Sequence, residues 1–133
     1  MTDFDDALVN HLISQPGLAA LVANRIYPDY FPQSGQLPAV AYTLEDDSSS
    51  HLMQGASGLR RAIYQINVWA ETRREVMTVT RQICKALDGY RGAFLNIPVP
   101  GSFLDGLDRE RDPDTGAYCA SMRFTIHYQQ KEA

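Results

Sequence analysis

Three histidines, two cysteines and a run of carboxylates are the residues of this chain whose types could do chemistry. A metal centre needs several ligands presented together, and His11, His51 and His127 lack the HxH, HxxxH or HxxE spacing by which one element offers two of them. Solvated or hydrogen-bonded histidines are the better reading. Asp108, Asp112, Asp114 and Gly116 have the rhythm of a calcium loop without its bidentate Glu, and Pro113 turns the segment into a hairpin bend. Glu45, Asp46 and Asp47 are adjacent carboxylates of the kind that divide acid and base roles, but Ser48, Ser49 and Ser50 flank them, and the run reads as a solvated loop mouth. Those serines beside His51 lack the G-x-S-x-G elbow that exposes a nucleophile. Gly55-Ala56-Ser57-Gly58 has neither the Lys nor the following helix of a phosphate loop. Cys84 and Cys119 read as two small buried thiols in a reducing compartment; sequence alone leaves a disulfide between them open, and neither has a His partner to activate it. The expectation is a protein with no catalytic group, no cofactor and no metal.

The elements that carry these residues are clearer than the chemistry. From Arg60, the residues Ala62, Tyr64, Ile66, Val68 and Ala70 alternate with Ile63, Gln65, Asn67 and Trp69, the period-2 pattern of a strand with one face on a core. Thr72 and Glu75 then form a capping box, Val76, Val79, Ile83 and Leu87 follow at helical spacing, and Gly89 sits where a left-handed C-terminal cap belongs. Upstream, Thr2 or Asp3 caps a first helix to about Ser14, with Phe4, Leu8 and Leu12 on one side; Gln15-Pro16-Gly17 interrupts it before a short helix over Leu18 to Ala23. Arg25 to Pro28 is briefly extended, Asp29 to Pro38 is loop, and Ala39 to Leu44 is a strand. Glu45 to Gly58 is a polar connection, expected to be a mobile hairpin tip. Tyr90 to Gly101, rich in Pro and Gly, has no assigned structure. Phe103 to Arg111 and Ala117 to Gln129 form a closing hairpin around the turn Asp112 to Gly116. The result is one domain, 1–133, in the α+β class: a two-layer sandwich of a mostly antiparallel four-stranded sheet with two main helices packed on one face.

Composition removes several function classes. A length of 133 residues suffices for one self-sufficient core, and 44% hydrophobic with 21% charged residues is ordinary for a soluble domain. The net charge of -4 argues against a binder of duplex nucleic acid, whose affinity comes from phosphate neutralisation. No apolar run reaches the roughly 20 residues of a membrane span, and the acidic start MTDFDDALVN is unlike a signal peptide, so a cytoplasmic protein is expected. Two features suit contact instead. Trp69 falls on the polar face of its strand, where either a loop of its own chain or a neighbouring subunit must cover it. Arg60 and Arg61 border the acidic Glu45–Asp47 run, which makes either a solvated tip or, in a ring, an Arg-to-carboxylate contact between successive subunits.

The order and wording of the chain resemble the tail-completion proteins of long-tailed bacteriophages, which include tail terminators and tail-to-head joining proteins. The resemblance lies in Pro16-Gly17-Leu18-Ala19-Ala20-Leu21-Val22-Ala23-Asn24-Arg25-Ile26-Tyr27-Pro28 after an opening helix, then Leu37-Pro38-Ala39-Val40-Ala41-Tyr42. Val68-Trp69-Ala70 running into the helix Ile83 to Leu87, and a final strand pair with an acidic turn, complete it. It implies a structural virion protein, made in the host cytoplasm and placed at the head-proximal end of the tail. Such subunits form a homo-oligomeric ring, commonly hexameric, that caps the tail tube and meets head–tail connector proteins. DNA passes through without sequence-specific contact, and no membrane is involved. The implied interface residues are Glu45, Asp46, Asp47, His51, Met53, Arg60, Arg61 and Trp69, and changing Arg60 and Arg61 to Glu is expected to leave the fold intact while abolishing assembly.

The competing class is a small cytoplasmic α+β ligand-binding module or enzyme with a pocket between helices and sheet. It would need convergent polar side chains on the core face, where only Tyr42, Tyr64 and Tyr128 have polar tips, and buried tyrosines ordinarily satisfy their hydroxyls locally.

Overall fold

The structure is a computed structural model, and it describes residues 4–23, 25–29, 37–49, 59–111 and 116–129. Helix α1 (Phe4–Ile13) stops where Gln15 turns extended ahead of Pro16, the conformation a following proline imposes, and Pro16 then opens α2 (Pro16–Val22), where its missing N–H is no loss. Strands β1 (Ile26–Pro28), β2 (Ala39–Ser49) and β3 (Leu59–Ala70) follow. Helix α3 (Arg73–Leu87) begins as expected, with Thr72 Oγ1 accepting the Glu75 N–H at 3.1 Å. Beyond its last turn Gly89 takes φ +74°, and its N–H donates to the Ser102 carbonyl at 2.7 Å, which ties the helix end to the sheet. Strands β4 (Tyr90–Phe94), β5 (Ile97–Arg111) and β6 (Tyr118–Gln129) complete the chain.

The six strands form one sheet in the order β1-β2-β3-β6-β5-β4, antiparallel throughout except for β1 beside β2. At its centre β3 and β6 pair over their whole length, from Leu59 opposite Gln129 to Ala70 opposite Tyr118. One face of that pair, Ala62, Tyr64, Ile66, Val68 and Ala70 with Ala120, Met122, Phe124, Ile126 and Tyr128, is buried. The helices lay Leu8, Leu12, Leu18, Val22, Val79 and Ile83 onto it. Each large aliphatic or aromatic side chain so buried contributes about 1.5–3 kcal/mol, which makes this face the source of the fold's stability.

The sheet therefore has six strands rather than four, and three helices pack on it rather than two. The extra strands come from segments whose signals were weak. β1 has three residues and ends in Pro28, too short to show alternation. β4 and the start of β5 are a hairpin closed by Leu95 and Asn96, and Gly92, Pro98 and Pro100 break the pattern by which a strand is recognised. β2 also runs to Ser49, five residues into the segment expected to be a mobile tip, because Asp46 to Ser49 pair with Ile63 to Arg60. The remainder of that segment, with His51 and Met53, and the turn residues 112–115 lie outside the described residues.

Candidate assembly surface

Two register slips organise the polar groups. Leu44, Tyr64, Phe124 and Leu104 stand in one row across four strands, and immediately beyond it β2 slips between Leu44 and Asp46 while β5 slips between Leu104 and Gly106. A β-bulge places two residues opposite one and reverses which face the following side chains take. On β2 it brings Asp47 opposite Ala62, on the helix side of the sheet.

There Asp47 accepts from Arg60 Nε at 2.9 Å and from the Tyr128 hydroxyl at 2.8 Å. Beside this group the Tyr64 hydroxyl donates to Asp5 of α1, and Phe4 stacks on Tyr128 with ring centroids 3.9 Å apart. Burial and the Asp47 carboxylate push the Tyr128 hydroxyl up to about 12, and burial followed by Asp5 pushes Tyr64 further, so both remain protonated donors. The hydrogen bond to Asp47 likewise raises Arg60 and keeps it charged. The Tyr64 and Tyr128 hydroxyls on the core face are thus satisfied locally, as expected, and the rim of the core holds structural hydrogen bonds and an ion pair.

On the opposite, helix-free face the bulge residues are Glu45 and Asp105. Arg123 Nε donates to Glu45 at 3.0 Å, and the Thr125 hydroxyl donates to Asp105. Between them lies a shallow depression of about 330 Å³ that also borders Gln65, Asp108 and Ser121. Ser121 Oγ donates to Asn67 Oδ1 at 2.7 Å. Trp69 is half-buried in this face, opposite Ala39 and Cys119, and Arg61 is exposed opposite Ser48 and His127.

Among the described residues no three His, Cys, Asp or Glu side chains converge as a metal set. His11 is buried, its Nε2 donating to the Ala86 carbonyl at 2.9 Å and its ring lying 4.3 Å from Phe94 and 4.5 Å from Tyr90; burial lowers its pKa more than the hydrogen bond restores it. Cys84 and Cys119 are half-buried and not joined in a disulfide; the Cys84 thiol contacts Met122 Sδ at 3.9 Å and burial pushes its pKa up. Among the described residues no helix is long and apolar enough to cross a membrane.

The sequence-expected residues thus divide. Glu45, Asp46, Asp47, Arg60 and Arg61 do share one hairpin, but Arg60 and Asp47 engage each other on the helix side while Glu45 and Arg61 point to the other face. Arg60 is therefore a structural partner of Asp47, and its reversal to Glu would damage the rim, contrary to the expectation that the fold would be indifferent. Asp105 carries no sequence signal of its own, and neither Arg123 nor Tyr128 is among the sequence-expected contacts; Gly106 inside a strand pattern is the available signal for the second bulge.

No curated protein sequence matches the chain. Among solved structures, a chain from the virion of a native gene transfer agent particle superposes with TM-score 0.67 at 14% identity, covering 90% of each chain. A second solved chain, of unstated function, superposes with TM-score 0.54 at 9% identity, covering 97% of this chain and 98% of its own. Both likenesses are of fold. The model of the family described as Tail completion protein gp17 matches residues 6–129, from α1 to the last residue of β6, and the chain belongs to that family.

Proposed function

We propose that this structural tail protein completes the tail by closing a ring on the head-proximal end of the tail tube, ending its growth, joining it to the head, or both. The observation that carries the reading is the extent of the family match, 6–129, which runs from within α1 to the end of β6. The fold shared with a chain of a gene transfer agent virion supports a place in the particle. The proposed partners are copies of itself, commonly six in such rings, together with tail tube and head–tail connector proteins. The sheet-side residues Glu45, Asp46, Arg61 and Trp69, with His51 and Met53 from the β2–β3 connection, are the proposed contacts; Asp47 and Arg60 support them from the helix side. The ligand-binding alternative receives no support from the core, because the space between helices and sheet is filled by apolar side chains.

Deleting the gene from the producing phage or prophage and imaging the lysate tests the reading. Full heads beside unattached tails are expected, with overlong tails marking a termination role. Intact infectious particles would overturn it. Complementation with Arg61→Glu, which keeps the Arg60–Asp47 pair, is expected to restore folded protein but not joined particles.

A further inference from the structure

The two ends of the sheet are stepped, and the steps are complementary. At one end β1 covers only Val40 to Tyr42 of β2, so that among the described residues Leu44 to Ser49 have no strand beyond them. At the other, β4 covers β5 only as far as Ser102, and the Leu104 N–H is taken by Asp88 Oδ1 at 3.1 Å; from Asp105 to Arg111 no described strand lies beyond β5. The rows fix the levels. Tyr90, Ser102, Ile126, Ala62 and Asp47 form one row, so the start of β4, Tyr90 and Arg91, protrudes at the height where β2 is bare. Ile26, Val40, Val68, Ala120 and Arg109 form another, so β1 protrudes at the height where β5 is bare.

We propose that a second copy of this chain docks edge to edge on these steps, the start of β4 in one copy lying beside Asp47 and Ser48 of β2 in the next while β1 of that next copy lies beside the bare half of β5 in the first. The inference rests on the ring reading and gives that ring its contact surface. An unpaired strand edge is a template for another strand, and chains that remain alone blunt it. Here the bare stretches carry two of the five exposed large apolar side chains among the described residues, Leu44 and Leu107. Matching the rows sets Pro28 of one copy against exposed Leu107 of its neighbour. On the helix-free face it sets exposed Arg91 opposite Ser48 and diagonal to Asp46, within the acidic run of the bare β2 edge. The two edges differ from one another, so the contact is heterologous, and such contacts propagate until a rotation closes them.

The test places Ser48→Cys and Arg91→Cys in a Cys84→Ser, Cys119→Ser chain and uses it to complement the deletion. Cross-links are read on non-reducing gels both from concentrated pure protein and from purified particles, beside the oligomer mass of the unmodified chain. A disulfide ladder ending at the ring size, absent from each single-cysteine chain, is the expected result. A ladder without limit, with fibres, would support the edge contact and overturn the closed ring. An oligomer of the unmodified chain without cross-links would overturn the edge contact and leave the ring standing. Monomer in solution and no cross-link in particles would overturn both. As a second variant, Arg91→Glu is expected to lower joined particles at least tenfold and Asp46→Arg added to it to recover most of them; a harmless Arg91→Glu overturns the contact.

Discussion

The central ladder and its two flanks obey different rules. β3 and β6 keep a single register through twelve pairs, and their inward residues alternate strictly with half-exposed ones. β2 and β5, on either side, each slip beyond the row of Leu44, Tyr64, Phe124 and Leu104, and each leaves an acid at the slip. The difference follows from what specifies register. At the centre a one-residue shift would turn buried Tyr64, Ile66, Phe124 and Ile126 toward solvent, which forbids it. On the flanks less apolar area is at stake, and polar contacts choose the alignment. Without the slip, Asp46 rather than Asp47 would stand opposite Ala62.

The largest test of this contrast compares two apolar residues on adjacent strands. Phe124 is fully buried, and Phe124→Ala is expected to cost about 3–5 kcal/mol in urea unfolding. Leu107 is 44% exposed, and Leu107→Ala should cost the free monomer less than about 1 kcal/mol. Similar losses would mean that β5 is as tightly specified as β6. The next test uses neighbours in sequence. Asp47→Ala strands the Arg60 guanidinium and the Tyr128 hydroxyl and should cost about 2 kcal/mol, whereas Asp46→Ala should stay within about 0.5 kcal/mol. Equal effects would remove the role given to the bulge.

The same division explains what was legible in the sequence. β3, α3 and β6 were read to within a residue or two because burial imposes a period and Thr72 and Gly89 punctuate it. The flanks were misread in proportion to how little they bury. The sequence ends β2 at Leu44 because the next residues, Glu45 to Ser49, are polar; it marks Arg25 to Pro28 only as briefly extended and assigns no structure to β4. The β4–β5 hairpin was hidden further because its first turn residue, Leu95, takes φ +55° where glycine is the usual signal. At the surface, the sequence puts Arg60 beside the acidic run but leaves open a solvated tip or a contact between subunits, and the structure pairs Arg60 with Asp47 of its own chain. A bulge reverses faces by adding one residue, and nothing in an acidic run says which carboxylate will be the extra one.

A smaller effect separates the helix layer from the sheet edge by pH. His11 is held below its ordinary pKa by burial between α1, α3 and β4, so the folded state binds its proton less readily than the unfolded chain. Stability from this residue is complete above about 6.5, falls as pH drops below that value, and levels off below the folded pKa. Unfolding midpoints at pH 7.5 and 5.5 should differ more for the wild-type chain than for His11→Gln; an equal difference would leave His11 out of the pH response.

The smallest expected effect sharpens the comparison because it has the opposite sign. Leu95 is 48% exposed and left-handed, so its side chain contributes little packing while its Cβ strains the turn. A left-handed non-glycine residue costs about 1–2 kcal/mol, and glycine returns about half of that gain through its greater unfolded entropy. Leu95→Gly should therefore stabilise the chain by about 0.5 kcal/mol in urea unfolding. Were the flanks under the same packing constraint as β3 and β6, removing a leucine there would destabilise. A loss of more than about 1 kcal/mol would show that the hairpin tip is packed after all, and a gain would show that strain is tolerated where burial does not set the register.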